Sequence, residues 1–335
     1  MHDEFAVPVE YMRPVAERLQ QAGVDVRGHL AVAGLAPDTL DTPGNLLPYP
    51  TFRALVLDGL AATREPALGL FVGKRLVAST HGVVGEAAVN SATVRQALDV
   101  AERFSRLRSS LITIAHDTRE MEVRVVFTEM VPLAEVRNTV LEAVVLSVKN
   151  VLDDITMGAA QVYEVAFPFE APDYAPLARD MFGCAVAYGQ DWAGFATSLA
   201  TLDLPLRFAN AAAFAAAERI CQRELERIAA QESMSARVRR LLLEHQSGFP
   251  SLQVTARVLH MTPRTLHRRL VAEGTSFREV LESVRHTLAV EHVRSGHFTL
   301  DEVAYRLGYT DLANFRRAFK RWEGVPPSAY RARQT

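Results

Sequence analysis

The chain has 335 residues, of which 49% are hydrophobic and 23% are charged. This balance excludes a mainly disordered protein, and the length suits two domains. The net charge of −2 hides an asymmetry, because residues 236–335 hold 17 basic and 9 acidic side chains, whereas residues 1–235 hold 20 basic and 30 acidic ones. A compact basic domain attracts polyanions, most often nucleic acid.

Cysteine content and hydropathy limit the compartment. Cys184 and Cys221 cannot form a disulfide framework or a zinc ribbon, which favours a reducing cytoplasm. Residues 1–11 carry no apolar run, so we expect no signal peptide. The most apolar helical stretch, residues 133–155, is interrupted by charged side chains and cannot cross a bilayer. We expect no membrane partner and no cofactor.

The first part of the chain is predicted to be helical. Apolar periodicity favours helices over residues 8–22, 24–33, 50–62, 66–76 and 93–107, the last after a Ser91 cap. No strand is predicted between residues 8 and 107.

From residue 111 the apolar period changes to two. Residues 111–114 and 121–127 predict a β-hairpin with its turn at 117–119. A long helix over 132–157, a strand over 162–169, a short helix over 172–181 ending at Gly183, and extended segments over 185–188 and 195–199 follow. The first domain is therefore predicted to be α+β.

The domain boundary is predicted in the polar stretch 229–235, between a helix over 210–231 and a helix from Ser233 to about His245. This gives domains 1–232 and 233–335. Within 210–231, apolar side chains at steps of three and four form a stripe that could pack on its own domain or pair two subunits. The stripe contains Phe214, Ala217, Cys221, Leu225 and Ile228.

A pair of short helices opens the second domain. Residues 251–259 show the apolar stripe of a short amphipathic helix, and a three-residue turn follows. Thr262 then serves as an N-cap before Pro263 at the first helical position. Burial of Leu266 and Leu270 would leave a basic face of Arg264, His267 and Arg268 on the opposite side. These are the parts of a helix-turn-helix.

The same pattern recurs within the domain. Apolar and capping positions of 256–270 return at 304–319 with one residue inserted, and Gly308 stands where the first unit has His260, a residue that enters the left-handed region less readily. Thr299 and Ser276 each begin a capping-box sequence. The helix from Ser276 would be a linker of roughly 27 Å between the two helix-turn-helix units. This length suits the placement of the second helix of each unit in successive major grooves, about 34 Å apart.

Residues 264–270, the helix from Ser276 and residues 308–331 resemble the AraC family of bacterial transcription regulators. The resemblance implies two sets of base-reading side chains, of which the second is weakly polar and is expected mainly to anchor the DNA backbone. Lys320 and Arg321 are either phosphate contacts or solvated. The expected DNA-binding residues are Thr262, Arg264, His267 and Arg268 in the first unit, and Leu312, Ala313, Asn314, Arg317, Lys320 and Arg321 in the second.

The first domain carries a second resemblance. Residues 82–86, 93–98, 171–174 and 182–184 are similar to the arabinose-binding-type N-terminal half of one branch of that family, that of ornithine-utilisation regulators. This implies a cytoplasmic pocket for a small-molecule effector, whose identity does not follow. An anionic effector could bind a set of basic side chains that otherwise form a solvated face: Lys74, Arg75, Arg103, Arg106 and Arg108.

We therefore predict a sequence-specific DNA-binding transcription regulator that responds to a small-molecule effector. Its expected partners are double-stranded promoter DNA, RNA polymerase and a second copy of the chain. The alternative is a DNA-localised enzyme of the repair-methyltransferase type, which would need a reactive cysteine that the surroundings of Cys184 and Cys221 do not provide. A further alternative is an interaction protein with an empty first domain. The histidines and carboxylates show no metal-ligand spacing.

Overall fold

The computed structural model describes residues 5–41, 44–119, 121–244, 248–296 and 298–332. Residues 1–4, part of the segment expected to lack a signal peptide, and His245, the predicted end of a helix, lie outside these ranges. The chain divides into two compact units, one ending at Arg227 and the other beginning at Ile228. A helix, Ala211–Gln231, runs through this division, and the boundary predicted after residue 232 falls just past its end.

The N-terminal part of the first unit is largely helical. Two short strands, β1 (Ala6–Pro8) and β2 (Leu46–Pro48), nevertheless pair antiparallel. The prediction of no strand between residues 8 and 107 is wrong, because a three-residue strand is too short to show a period of two. The helices are α1 (Arg13–Gln21), α2 (Val26–Val32), α3 (Tyr49–Thr63), α4 (Leu68–Arg75), α5 (Gly82–Val89) and α6 (Val94–Phe104).

The cap of α6 differs from the prediction. The Thr93 hydroxyl accepts a hydrogen bond from the Gln96 backbone N–H, at 3.4 Å, and so caps the helix. The buried Ser91 hydroxyl instead donates to the carbonyl of Ala87, one turn back in α5. Helix α5, which the sequence did not predict, ends at Val89, shortly before α6. Its Ala87 carbonyl group binds the Ser91 hydroxyl, which was expected to cap α6.

A five-stranded sheet follows. Its strands β3 (Ile112–Arg119), β4 (Glu122–Glu129), β5 (Val162–Ala166), β6 (Ala185–Ala187) and β7 (Gly194–Ser198) lie in the order β3-β4-β7-β5-β6, and only the pair β5 and β6 is parallel among these strands. The predicted hairpin is present, but β3 continues through residues 117–119 and pairs Arg119 with Glu122. Residues 117–119, which were predicted to form the turn, are the exposed end of β3.

Helix α7 (Arg137–Thr156) is largely buried in the first unit and packs closely on α4. The approach depends on two glycines of α4. A Cβ on Gly69 would lie 2.3 Å from the Thr139 carbonyl oxygen, and one on Gly73 would lie 2.7 Å from that of Ala143. The short helix α8 (Ala175–Phe182) ends, as predicted, at Gly183, which is left-handed with φ of 67°.

Helix α7 also buries a carboxyl group. Glu142 is fully buried, and the Tyr174 hydroxyl donates to its Oε2 at 3.2 Å. Burial raises the pKa of Glu142 to about 8, because the buried carboxylate would lose its hydration and the hydrogen bond from Tyr174 offsets only part of this loss. The folded protein therefore keeps this proton well above the pH at which an unfolded chain releases it.

This proton makes stability depend on pH. Between about pH 4.5 and pH 8 the folded state holds more protons at Glu142 than the unfolded state, so stability falls as pH rises. We expect Glu142→Gln to raise the free energy of unfolding at pH 8 by up to about 4 kcal/mol and to have little effect at pH 4.5. Thermal unfolding across this range measures the difference, with the exposed Glu86→Gln as control. A difference that does not change with pH would contradict the assignment.

The helix Ala211–Gln231, α9, packs on its own unit. Ala217 and Cys221 are buried in a cluster formed by α5 and α6, against which Phe214 and Leu225 also pack. The stripe from Phe214 to Leu225 therefore belongs to the core of this unit, which corrects the alternative that it pairs two subunits; Ile228 is half-buried and is not part of this cluster. Periodicity shows that one face of a helix is covered but not which chain covers it.

The second unit is helical in its described part. Its helices are α10 (Met234–Glu244), α11 (Leu252–Val258), α12 (Pro263–Ala272), α13 (Phe277–Ser295), α14 (Leu300–Arg306), α15 (Leu312–Glu323) and α16 (Pro327–Ala332). Helix α13 connects the pair α11 and α12 to the pair α14 and α15 and packs on α10, α14, α15 and α16. Among the described residues of the whole chain, no helix combines the length and apolar character needed to span a membrane.

Candidate nucleic-acid interface and internal cavity

Helix α12 is fixed by its cap and its buried face. The Thr262 hydroxyl accepts from the Thr265 backbone N–H at 3.2 Å, and Pro263 occupies the first helical position. Leu266 and Leu270 are fully buried. Both features agree with the prediction and hold the opposite face of the helix in a defined orientation.

That opposite face is basic and exposed. Arg264, His267 and Arg268 are exposed, as is Arg269, which the sequence analysis did not single out. Within the described ranges none of the four side chains makes a hydrogen bond or an ion pair with the protein. Their donors are therefore available to an external acceptor.

The turns that precede the two exposed helices differ in their backbone. Gly308 adopts φ of 72° before α15, and His260 adopts φ of 54° before α12. This confirms the equivalence inferred from the repeat. A histidine pays a steric cost in this region that glycine does not, so the first turn is the more strained one.

Helix α15 presents its polar side chains differently. Asp311 caps the helix by accepting from the Asn314 backbone N–H at 2.7 Å. The Asn314 amide donates to Asp311, and Arg317 donates to the Asn314 amide oxygen, both at 2.5 Å. Leu312 and Asn314 are half-buried, whereas Ala313 and Arg317 are exposed. These polar groups already bind one another, unlike those of α12.

Further along α15, Lys320 and Arg321 are both exposed. Arg321 donates to Glu282 of α13 at 3.2 Å, and Lys320 has no ion pair within the described residues. Both lie past the central turn of the helix. Their charges can meet an anion there, but Arg321 would first have to share or leave its carboxylate partner.

Helix α13 begins at Ser276, whose hydroxyl accepts from the Glu279 backbone N–H at 3.2 Å. Only this half of the predicted capping box forms, because the Glu279 carboxylate accepts from the Thr275 hydroxyl instead. At Thr299 the box is complete.

Arg285 joins α13 to the second helix pair. Its guanidinium lies over the rings of Phe249, at 5.6 Å, and Tyr309, at 5.2 Å, and donates weakly to the Gly308 carbonyl at 3.5 Å. Sequence reasoning missed this residue, because its partners are distant along the chain and no local pattern connects them.

The first unit contains a cavity of about 160 Å³ between α4, α5, α7 and β3. Its walls are mainly aliphatic, with contributions from Val72, Val84, Val140 and Val144. Of the basic residues considered as anion ligands, Arg108 lines this cavity. Arg75 pairs with Glu17 and Arg103 with Glu218, both at surface positions.

Neither cysteine is prepared for nucleophilic chemistry. Burial raises the pKa of the Cys184 thiol, and it raises that of Cys221 to about 11, whereas a reactive cysteine needs a lowered pKa. In the described part of the chain, histidine, cysteine and carboxylate side chains form no group of three or more that could hold a metal ion.

Comparisons with known proteins find a family match for each part of the chain. Residues 23–206 match the family described as the N-terminal arabinose-binding domain of AraC transcription regulators, and residues 255–333 match a helix-turn-helix domain. The chain is 32% identical to the ornithine utilization regulator of Pseudomonas aeruginosa over 97% of this chain and 96% of that protein. It is 29% identical to the regulator VirS of Mycobacterium tuberculosis over 75% of each chain. The crystal structure of the transcriptional regulator CdpR from P. aeruginosa covers 96% of this chain and 98% of its own, with 27% identity and a TM-score of 0.49. The chain belongs to the AraC family of transcription regulators.

Proposed function

We propose that this regulator binds double-stranded promoter DNA with residues 233–335 and senses a small molecule with residues 1–232. The observation that carries the DNA-binding proposal is the exposed basic face of α12, whose side chains make no hydrogen bond or ion pair with the part of the chain that the structure describes. Arginine side chains that approach the major groove can bond two acceptors of one guanine and so read sequence. In this proposal Arg264, His267 and Arg268 read base edges, and Thr262 contacts the backbone at the start of the helix.

We propose that helix α15 mainly positions the domain on the DNA, whereas α12 makes most of the contacts with base edges. Arg317 and Asn314 are bonded to each other, so a base contact must compete with an existing bond. Leu312 and Ala313 offer only apolar contacts, which suit a thymine methyl group. Lys320 and Arg321 would meet phosphates, whose contacts fix register without carrying sequence information.

Arg268 provides the test of base reading. We expect Arg268→Ala to weaken binding to the specific site by about 1–3 kcal/mol and to leave binding to random DNA almost unchanged. Arg269→Ala, one position along the same helix, is the matched control and should lose less on the specific site. Footprinting on DNA that flanks the protein's own gene identifies the site, and titrations at fixed salt measure both affinities. Equal losses on specific and random DNA would make Arg268 a phosphate contact.

The remaining parts of the proposal concern partners. A bacterial regulator that binds promoter DNA acts in the cytoplasm, where RNA polymerase is its natural partner. We also propose that the protein forms a homodimer, through a surface other than the buried stripe of α9, and that it carries out no enzymatic step. The raised pKa values of Cys184 and Cys221 support the last point, because the methyltransferase alternative requires an activated thiolate.

A further inference from the structure

The cavity of the first unit has one polar end. Tyr11, His81, Arg108 and Ser147 meet there, although they come from four separate segments of the chain. The rest of the lining is mainly aliphatic. A cavity with apolar walls and a few convergent polar groups is the usual form of a small-molecule site.

The hydrogen bonds at this end run in one direction. The Ser147 hydroxyl donates to the Leu76 carbonyl at 3.3 Å, so it accepts from His81 Nε2 at 2.8 Å. His81 Nδ1 then accepts from the Tyr11 hydroxyl at 2.9 Å, and the Tyr11 oxygen faces Arg108 Nε at 3.5 Å. The network assigns the His81 proton to Nε2 and leaves the ring neutral.

Other features agree with a neutral His81. Burial and the nearby charge of Arg108 lower the pKa of His81 to about 4. The lining contains no aspartate, glutamate or lysine among the described residues. Arg108 is therefore the single full charge at the cavity wall.

Arg108 has donors to spare. Its Nη2 donates to the Thr80 carbonyl at 3.1 Å, and within the described ranges no carboxylate pairs with it and its Nη1 makes no hydrogen bond. A Cβ on Gly82 would lie 3.3 Å from Nη1, so the glycine leaves room for the guanidinium. A half-buried arginine without a counter-ion is costly, and a carboxylate that binds two of its N–H groups would offset this cost.

The same arginine also lines a surface groove. Four basic side chains and two acidic ones surround this groove: Arg13, Lys74, Arg75 and Arg108, with Glu10 and Glu17. The excess of positive charge favours an anion over a cation near Arg108. An anionic head group at Arg108 would lie where the charged groove and the aliphatic cavity meet.

From these observations we propose that the cavity binds a monocarboxylate with an apolar body of about six to eight carbon atoms, a size suited to a cavity that compares with the ~150 Å³ space known to hold benzene. The carboxylate binds the Arg108 guanidinium beside the Tyr11 hydroxyl, and the body lies among Val72, Val84, Val140 and Val144. The inference rests on the proposed effector-sensing role of the first unit.

The lining argues against two other classes of ligand. A sugar of similar size would leave most of its hydroxyl groups facing valine side chains, and unpaired buried polar groups are costly. A diamine or a basic amino acid would place an ammonium group in a cavity whose single full charge is positive. Both classes belong in the test as ligands that should not bind.

The experiment is calorimetric titration of the full-length protein, without DNA, with octanoate, octanol, octylamine, arabinose and ornithine. We expect saturable binding of octanoate at least tenfold tighter than that of octanol, and none of the other three. Arg108→Gln should weaken octanoate binding at least tenfold and leave octanol unchanged. Arg108→Lys, which keeps the charge, should restore part of the affinity. Arg103→Gln, a surface arginine paired with Glu218, is the matched control and should bind as the wild type does.

Three outcomes would overturn the inference. These are equal affinity for octanoate and octanol, unchanged octanoate binding by a folded Arg108→Gln protein, and no binding of any straight-chain carboxylate from four to ten carbons. Thermal unfolding of each variant separates loss of the site from loss of the fold. Because no DNA is present, failure here leaves the DNA-binding proposal standing, and failure of the footprint leaves the carboxylate site standing.

Discussion

Replacing Phe319 by alanine is expected to remove about 3–5 kcal/mol from the second unit and to abolish DNA binding through unfolding of residues 299–331. Phe319 is fully buried in α15, with its ring 5.8 Å from that of Phe315 and 5.4 Å from that of Tyr330. Truncation leaves a cavity between α15 and α16 in a small domain that has little stability to lose.

The control lies on the neighbouring helix. Tyr305 in α14 is 83% exposed, so Tyr305→Ala should change stability by no more than about 0.5 kcal/mol. Circular dichroism during heating, with a DNA titration of the same samples, measures both effects. A Phe319→Ala protein that unfolds at the wild-type temperature and still fails to bind DNA would show that this ring acts at the interface and not in the core.

The fold of the second unit could be predicted because its helix caps and apolar stripes are local sequence patterns that occur twice. Capping residues such as Thr262 and Thr299 stand at the helix ends where the sequence places them, and the buried positions of α12 recur in α15. Because both helix pairs show the same capping and apolar positions, each pair supports the assignment of the other. The fold class and the family resemblance are confirmed. The contacts of individual side chains with DNA remain predictions.

The polar end of the cavity could not be assembled from the sequence. Arg108 was one of five basic side chains considered as anion ligands, and only packing separates it from Arg75 and Arg103, which have surface carboxylate partners. Tyr11 and Ser147 are more than a hundred positions apart, and each reads alone as an ordinary helix residue. Contacts at such separation depend on how the elements pack, which no local periodicity records.

The stripe on α9 is a second case in which the sequence pattern could not identify a packing partner. Its period of three and four correctly predicted a buried helix face, and the sequence left the identity of the covering surface open. The structure covers Ala217 and Cys221 with Val84, Ala87 and Phe104 of the same unit. The sequence shows the same apolar stripe whether the helix packs on its own domain or on a second subunit.

A charge placed on this stripe should therefore unfold the first unit instead of separating two subunits. Cys221 is fully buried, so Cys221→Glu would place a carboxylate among aliphatic and aromatic side chains, at a cost of about 4 kcal/mol or more. Ile220 is the adjacent residue and is 44% exposed, so Ile220→Glu adds the same charge on the solvent side and should cost less than about 1 kcal/mol. Scanning calorimetry of the full-length variants measures the transition of the first unit, and sedimentation reports their assembly. A Cys221→Glu protein that keeps the wild-type transition but sediments as a monomer, where the wild type is a dimer, would return this helix face to an interface.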